Sequence, residues 1–178
     1  MKNLSKEKAI AIIGISILVV ALIVSTVLLL AKNVGKTVLK IESQKVIPGN
    51  EISLPITIEK NHGFLSGQII IEYDSGALEF ISCENGEVFD ECFTYKPTGE
   101  DSIVIIVEQT TKLENTDING VVAMLKFKVR ASAKKGTYPI SFYLPKKVDD
   151  GTGFLKIQDL DAEKWTIPKC VDGKIVVE

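Results

Sequence analysis

The stretch Ile52-Ser-Leu-Pro-Ile-Thr-Ile58 places an apolar side chain at every second residue. This spacing predicts a β-strand with one face in a hydrophobic core, because successive side chains of a strand point to opposite faces. Pro55 cannot donate a hydrogen bond to a neighbouring strand, so it predicts an edge position or a β-bulge here. The turn-forming sequence Ile47-Pro-Gly-Asn50 precedes the run. A turn followed by a half-buried strand is the pattern that the rest of the chain repeats.

Strand-like runs and turn residues alternate after this point. The strongest strand predictions are Ser102–Gln109 and Val121–Arg130. Further strands are predicted at 38–43, 64–73, 78–83, 93–95, 137–144 and 174–177. The segment 149–169 is ambiguous, since residues 159–164 can form one helical turn. About eight or nine short strands, with turns roughly every 8–12 residues and no amphipathic helix, predict an all-β fold, an antiparallel β-sandwich.

An apolar run lies near the start of the chain. Residues 9–31 carry no charged side chain, and a helix of that length spans roughly 30 Å, the thickness of the bilayer's hydrocarbon core. The alternative is a cleaved signal peptide, whose apolar core is normally about 7–15 residues and ends at a small-x-small site. This run ends Leu28-Leu-Leu-Ala31. We therefore predict an uncleaved transmembrane helix at 9–31, with a tail at 1–8, a short linker at 32–36 and one sandwich domain at 37–178.

The charges beside this run bear on its orientation. Three lysines precede it within residues 1–8, and three follow it within residues 32–40, so the two flanks tie by the positive-inside rule. We predict that the tail is cytoplasmic, because it is too short to form a domain, whereas a folded domain on a signal-anchor is usually exported. The expected location is the cell membrane, with a single pass and an extracellular domain.

Composition excludes several classes of function. The formal net charge is −2 and the only arginine is Arg130, which argues against nucleic-acid binding because that function needs a concentrated basic surface. The only histidine, His62, stands in a turn, and no phosphate-binding loop, metal-ligand pair or nucleophile elbow accompanies it. The acidic clusters at 149–150 and 159–163 lack the spacing of a calcium loop. We expect no catalysis, no bound metal and no cofactor.

The chain has three cysteines, Cys83, Cys92 and Cys170. Cys83 and Cys92 flank the turn-like sequence Glu84-Asn-Gly-Glu87, and in an oxidising compartment they can close a small loop through a disulfide. The alternative is that all three are reduced or buried. Spacing alone does not show whether the Cα atoms come close enough for a bond.

Four stretches, in this order and spacing, resemble a cohesin, the β-sandwich module that captures dockerins in cellulosomes and related assemblies. They are Val46-Ile-Pro-Gly-Asn-Glu-Ile-Ser-Leu-Pro-Ile-Thr-Ile58; Gly67-Gln-Ile-Ile-Ile-Glu-Tyr-Asp74 with Leu78-Glu79 after it; Asn119-Gly-Val-Val-Ala-Met-Leu-Lys-Phe-Lys-Val129; and Asp172-Gly-Lys-Ile-Val176. The third is close to the family's DGVFATIKFKV. The resemblance covers residues 38–178 and implies a jelly-roll sandwich with a non-catalytic, protein-binding function.

The residues themselves point to one sheet face. In the predicted strands 64–73 and 102–108, the residues opposite the core-facing set should be polar if exposed, yet they include Ile70, Val104 and Ile106. An apolar patch with a polar rim is typical of a protein interface, and the alternative is that loops partly cover both sheet faces. The predicted partner-binding residues on these two strands are Ser66, Gln68, Ile70, Glu72, Val104, Ile106 and Glu108, and the resemblance to cohesins adds Tyr95.

The resemblance implies the same face, because cohesins bind dockerins on the sheet that contains their third, fifth, sixth and eighth strands, with Tyr95 on the fifth. The expected partner is a dockerin-bearing protein that holds its own calcium, so carbohydrate would be contacted only indirectly. Ser66 and Gln68 depart from the Asn and acidic residue that many cohesins carry at those positions.

Two other functions stay open at this point. A carbohydrate-binding or adhesin sandwich is the main alternative, although such sites usually need an aromatic platform, and Trp165 and the four tyrosines are widely scattered. A structural domain of an envelope complex is a third interpretation.

Overall fold

A computed structural model of the chain describes residues 36–96, 101–110, 118–144, 153–156 and 165–178. Within these ranges no helix is long and apolar enough to cross a membrane. The predicted tail, transmembrane helix and most of the linker lie outside the described residues. So does the helical turn predicted at 159–164.

The described residues form an all-β domain, as the sequence predicts. Its strands are β1 Val38–Ile41, β2 Gln44–Val46, β3 Glu51–Glu59, β4 Phe64–Tyr73, β5 Leu78–Asn85, β6 Glu91–Tyr95, β7 Ser102–Glu108, β8 Gly120–Val129, β9 Gly136–Phe142, β10 Gly153–Lys156, β11 Trp165–Thr166, β12 Lys169–Val171 and β13 Gly173–Val177.

Two sheets make up the sandwich. The first sheet has the order β12-β1-β3-β8-β5. The second has the order β11-β10-β4-β9-β13-β2, and β7 and then β6 extend it from the other edge of β4. The ten-residue strand β4 can hold three neighbours because β10 pairs with its first half and β9 with its last residues.

The hydrophobic core lies between the sheets and is built by strand alternation. In β3, Ile52, Leu54, Ile56 and Ile58 are buried, and the residues between them are exposed or half-buried. Phe127 of the central strand β8 is fully buried, with its ring 5.1 Å from that of Tyr73 and 5.8 Å from that of Phe80. These rings join the two sheets, since Tyr73 belongs to β4 of the second sheet.

The strand count and the strand directions differ from the prediction. The described ranges contain thirteen strands rather than eight or nine, and two pairings are parallel, β1 with β12 and β2 with β13. The parallel pairings arise because the first and last segments of the domain each leave one sheet and enter the other within one or two residues, and this crossing also adds β2 and β12 to the count. Strands β10 and β11 come from the segment 149–169, which the sequence left ambiguous. Gly173 marks the close approach, because a Cβ there would lie 2.6 Å from Cγ2 of Ile41. All other pairings are antiparallel.

The proline of β3 sits beside a bulge. Pro55 is not on an edge strand, since β3 lies between β1 and β8. The pairing of β3 with β8 shifts between Ile56 and Thr57, one residue beyond the proline. The Pro55 carbonyl accepts a hydrogen bond from the N–H of Glu42, just beyond the end of β1, so the position that lacks a donor faces the side on which β1 ends. The predicted edge position is wrong, and a bulge lies one residue from the proline.

Candidate protein-binding face

The eight predicted partner-binding residues all lie on one surface of the second sheet. Strands β6, β7 and β4 are adjacent there, and the core takes the alternate residues, such as Ile69 and Ile105. We call the outward surface of β4, β6, β7 and β9 the candidate face. The strand pairing brings all eight side chains together; their role in binding stays a prediction.

Two cross-strand rows form the apolar centre of the candidate face. In the first row Tyr95 pairs with Val104, which pairs with Ile70. In the second row Phe93 pairs with Ile106, which pairs with Gln68. Three of these apolar side chains are well exposed: Phe93 is 52%, Tyr95 63% and Ile106 38% accessible. Large apolar side chains that share one flat surface are typical of a surface that another molecule covers.

Tyr143 continues the first row onto the next strand. It follows β9 directly, and its backbone N–H donates to the carbonyl of Ile70 at 2.8 Å. Because Ser141 of β9 pairs with Glu72 on the outward surface, alternation turns Tyr143 outward as well, and its side chain is 41% exposed. The apolar row therefore crosses four neighbouring strands.

Carboxylates border the apolar centre at both ends. At one end Glu91 of β6 stands directly opposite Glu108 of β7, which pairs with Ser66 of β4. At the other end lies Glu72, beside Ser102 and close to Asp101 in a shallow surface depression. The outward residues of β4, β6, β7 and β9 include no lysine or arginine. Glu91 and Glu108 repel each other because like charges stand directly opposite, so a cation supplied by a partner would stabilise that end of the candidate face.

The outward surface of the other sheet is different in character. Glu51, Lys128 and Glu79 form a cross-strand row of alternating charge on β3, β8 and β5. Next to it Lys126 forms an ion pair with Glu84. Opposite charges at neighbouring positions satisfy each other in water and need no partner. The contrast between the two surfaces singles out the candidate face.

The sequence interpretation missed two residues of the candidate face, Phe93 and Tyr143. Phe93 could have been included, since it lies two residues from Tyr95 in the same predicted strand and so points to the same side. Tyr143 could not, because its place beside Ile70 depends on which strand lies next to β4.

The three cysteines are free thiols in this structure. Cys83 and Cys92 nevertheless lie together, with their Sγ atoms 3.8 Å apart. The sequence leaves both a disulfide and a reduced pair open, and the closeness of the two sulfurs is compatible with either. Within the described ranges no group of three or more His, Cys, Asp or Glu side chains is arranged to hold a metal ion.

Comparison with known proteins gives the family. Residues 37–153 match the family model of the Cohesin domain. A cellulosome-anchoring protein of Acetivibrio thermocellus is 27% identical over 141 residues, which are 75% of this chain and 29% of that protein. The chain thus spans less than a third of this curated relative.

Solved structures share the fold. A type I cohesin–dockerin complex from Clostridium thermocellum contains a chain with a TM-score of 0.67 and 20% identity, matched over 81% of this chain and 100% of that one. The seventh ScaB type I cohesin from Pseudobacteroides cellulosolvens has a TM-score of 0.66 and 21% identity, matched over 80% of this chain and 92% of that one. A non-cellulosomal cohesin from the archaeon Archaeoglobus fulgidus has a TM-score of 0.63 and 15% identity, matched over 81% of this chain and 92% of that one.

The match to the family model begins just before β1 and ends at the first residue of β10. Cohesin domains are non-catalytic modules, so the expectation that this chain is not an enzyme is confirmed by its family. On the match of residues 37–153 and on its two-sheet fold, this chain belongs to the cohesin family.

Proposed function

We propose that this cohesin domain captures a dockerin-bearing protein on the candidate face. The observation that carries the proposal is the apolar row Tyr95, Val104, Ile70 and Tyr143, which crosses four strands with both tyrosines exposed and is bordered by carboxylates. Family membership supports a dockerin as the partner, because solved relatives of this fold include cohesin–dockerin complexes.

The charges of the candidate face describe the complementary surface. Its apolar centre needs an apolar stripe on the partner, since burying Phe93 and Ile106 against polar groups would leave those groups unsatisfied. Its carboxylates Glu72, Glu91 and Glu108 need lysine or arginine at the edges of that stripe. Charged pairs at the rim of an interface increase the rate of association and set the orientation of the partner more than they add affinity.

The first experiment is a calorimetric titration of the full chain, in detergent, with calcium-loaded dockerins from the same genome. We expect saturable, equimolar binding to at least one dockerin. Binding should disappear when a chelator is added, because the calcium belongs to the dockerin, whereas the thermal unfolding of the cohesin domain alone should not change with chelator. Failure of every dockerin in the panel to bind would contradict the proposal.

Carbohydrate binding is the second candidate, and one observation favours it. The structure brings a third exposed aromatic ring, Tyr143, onto the same face as Phe93 and Tyr95, although it lies far from them in the sequence. Between them, however, stand Ile70, Val104 and Ile106, which offer no hydrogen-bonding group to sugar hydroxyls. We therefore rank protein binding first. Titration with soluble polysaccharides in the same instrument discriminates the two functions.

We also propose that the domain is held at the outer surface of the cell membrane by a helix at residues 9–31. The uncharged run of that segment supports this, as does the cellulosome-anchoring role named for the relative from Acetivibrio thermocellus. The compact unit at residues 36–178 begins just after it.

The membrane proposal predicts different behaviour for the full chain and for the fragment 36–178. The full chain should float with liposomes in a density gradient, and the fragment should stay at the bottom, because only the former carries the apolar run. The fragment should also show a β-type circular dichroism spectrum and a cooperative melt, since every described strand lies within it. Flotation of the fragment, or a full chain that stays free of lipid, would contradict the anchor.

A further inference from the structure

Cys83 and Cys92 come from different sheets. Cys83 lies on β5, the edge strand of the first sheet, and Cys92 lies on β6, which in the described residues pairs only with β7 at the edge of the second sheet. Both side chains are partly buried and pack against the core. Their Sγ atoms are 3.8 Å apart, and one thiol donates a hydrogen bond to the other. A disulfide here would therefore join the two layers of the sandwich.

The connection between the two cysteines is already fixed by other contacts. The Asn85 side-chain amide donates to the carbonyls of Phe89 and Asp90 at 3.0 and 2.9 Å. Val88 and Phe89 are buried in the core, and the N–H of Glu87 donates to the carbonyl of Val121 at 2.8 Å. Because this segment is held in place, the two sulfurs are neighbours before any bond forms. They need to approach by less than about 2 Å to reach the S–S bond length of about 2.05 Å.

The hydrogen bond makes the two thiols chemically unequal. The hydrogen bond with Cys83 lowers the pKa of the Cys92 thiol, and the same bond, with burial, raises the pKa of the Cys83 thiol. Cys92 is thus the thiol that more readily becomes a nucleophilic thiolate. Cys170, on β12, differs from both, because burial raises its pKa to about 12.

We propose that Cys83 and Cys92 form a disulfide that ties the edge of one sheet to the edge of the other. The oxidant is an external disulfide, either of a small thiol such as glutathione or of an oxidoreductase. The Cys92 thiolate attacks one sulfur of the external disulfide and releases the first thiol. Cys83 then loses its proton and attacks Sγ of Cys92 in this mixed disulfide, which releases the second thiol. Two protein thiols are oxidised and one external disulfide is reduced to two thiols.

The disulfide would fix the strand that presents the candidate face. Strand β6 is five residues long and carries both Phe93 and Tyr95. A short edge strand opens more readily than a central one, because it has neighbours on one side only. The bond at Cys92, next to Phe93, would hold this strand against the core.

The test exposes the folded full chain, in detergent, to oxidised glutathione and then counts thiols after unfolding. We expect one remaining thiol, Cys170, and a linked pair of peptides containing Cys83 and Cys92 in the non-reduced digest. The variant Cys170→Ser should leave no thiol after oxidation, and Cys83→Ser should retain Cys170 and carry glutathione on Cys92. The oxidised wild type should melt roughly 5–10 °C higher than the reduced form, as expected for closing a ten-residue loop in a domain of this size. Its Glu91–Tyr95 amides should exchange hydrogen more slowly.

Two results would overturn the proposal. One is the recovery of three alkylatable thiols after oxidation of the folded chain. The other is glutathione on Cys92 of the wild type with Cys83 still free, which would show that the two sulfurs cannot meet. Neither result depends on a dockerin, so the disulfide and the proposed binding function can fail separately.

Discussion

Replacing Ile106 by aspartate is expected to weaken dockerin capture by more than tenfold, about 1.4 kcal/mol, and to leave folding nearly unchanged. Ile106 lies between Phe93 and Gln68 in the middle of the candidate face and is 38% exposed. In the free domain the new carboxylate would stay hydrated. In the complex it would be buried in an apolar contact without a partner, which is costly. It would also add a negative charge near Glu108.

Ile81→Asp is the matched control. Ile81 is an isoleucine of similar exposure, 43%, on β5 of the opposite sheet. The same change of charge and volume there should leave affinity within about twofold, since that surface lies outside the proposed interface. Calorimetric titration with the captured dockerin measures affinity, and urea denaturation measures the free energy of unfolding. Equal losses of affinity in the two variants would show that the interface has been placed on the wrong surface. Unfolding of Ile106→Asp would show that Ile106 belongs to the core and not to the outward face.

Ile70→Asp extends the same test to the neighbouring strand. Ile70 is only half-buried, pairs with Val104 and accepts a backbone hydrogen bond from Tyr143 through its carbonyl. Affinity should again fall more than about tenfold, with a larger effect on stability than at Ile106 because more of its surface is packed.

Strand faces could be predicted from the sequence because they depend on neighbours along the chain. Alternation in 102–108 separates the buried residues Ile103, Ile105 and Val107 from the outward ones without any knowledge of the other strands. The sequence alone therefore marks Val104 and Ile106 as apolar residues on a side where exposed strands are normally polar.

Strand neighbours could not be predicted in the same way. Parallel pairing of β1 with β12 joins residues such as Leu39 and Cys170 from opposite ends of the chain, and no local pattern records that contact. Tyr143 was missed for the same reason, because only the adjacency of β9 and β4 places it beside Ile70. The closeness of Cys83 and Cys92 is similar: their spacing allows a contact, but only the meeting of two sheet edges produces one.

Replacing Phe127 by alanine is expected to lower the free energy of unfolding by about 3–5 kcal/mol. Its side chain is fully buried on the central strand β8, in contact with the rings of Tyr73 and Phe80. Removing the ring leaves a cavity between the two sheets, because strands held by backbone hydrogen bonds on both sides cannot collapse into it. Urea denaturation of the full chain should show an earlier midpoint with little change in slope. Below that transition the folded variant should bind dockerin as tightly as the wild type.

Phe93→Ala removes a phenylalanine ring from the candidate face, and it should weaken binding strongly while changing stability little. Because Phe93 is 52% exposed, its loss should cost less than about 1 kcal/mol of stability, yet it should weaken dockerin capture at least tenfold, as aromatic residues at the centre of an interface commonly do. Phe127→Ala and Phe93→Ala make the same chemical change, one in the core and one on the surface, so their comparison separates an effect on folding from an effect on binding. If Phe93→Ala destabilises the domain as much as Phe127→Ala, then Phe93 belongs to the core, and the apolar surface on β6 exists to support the fold rather than to meet a partner.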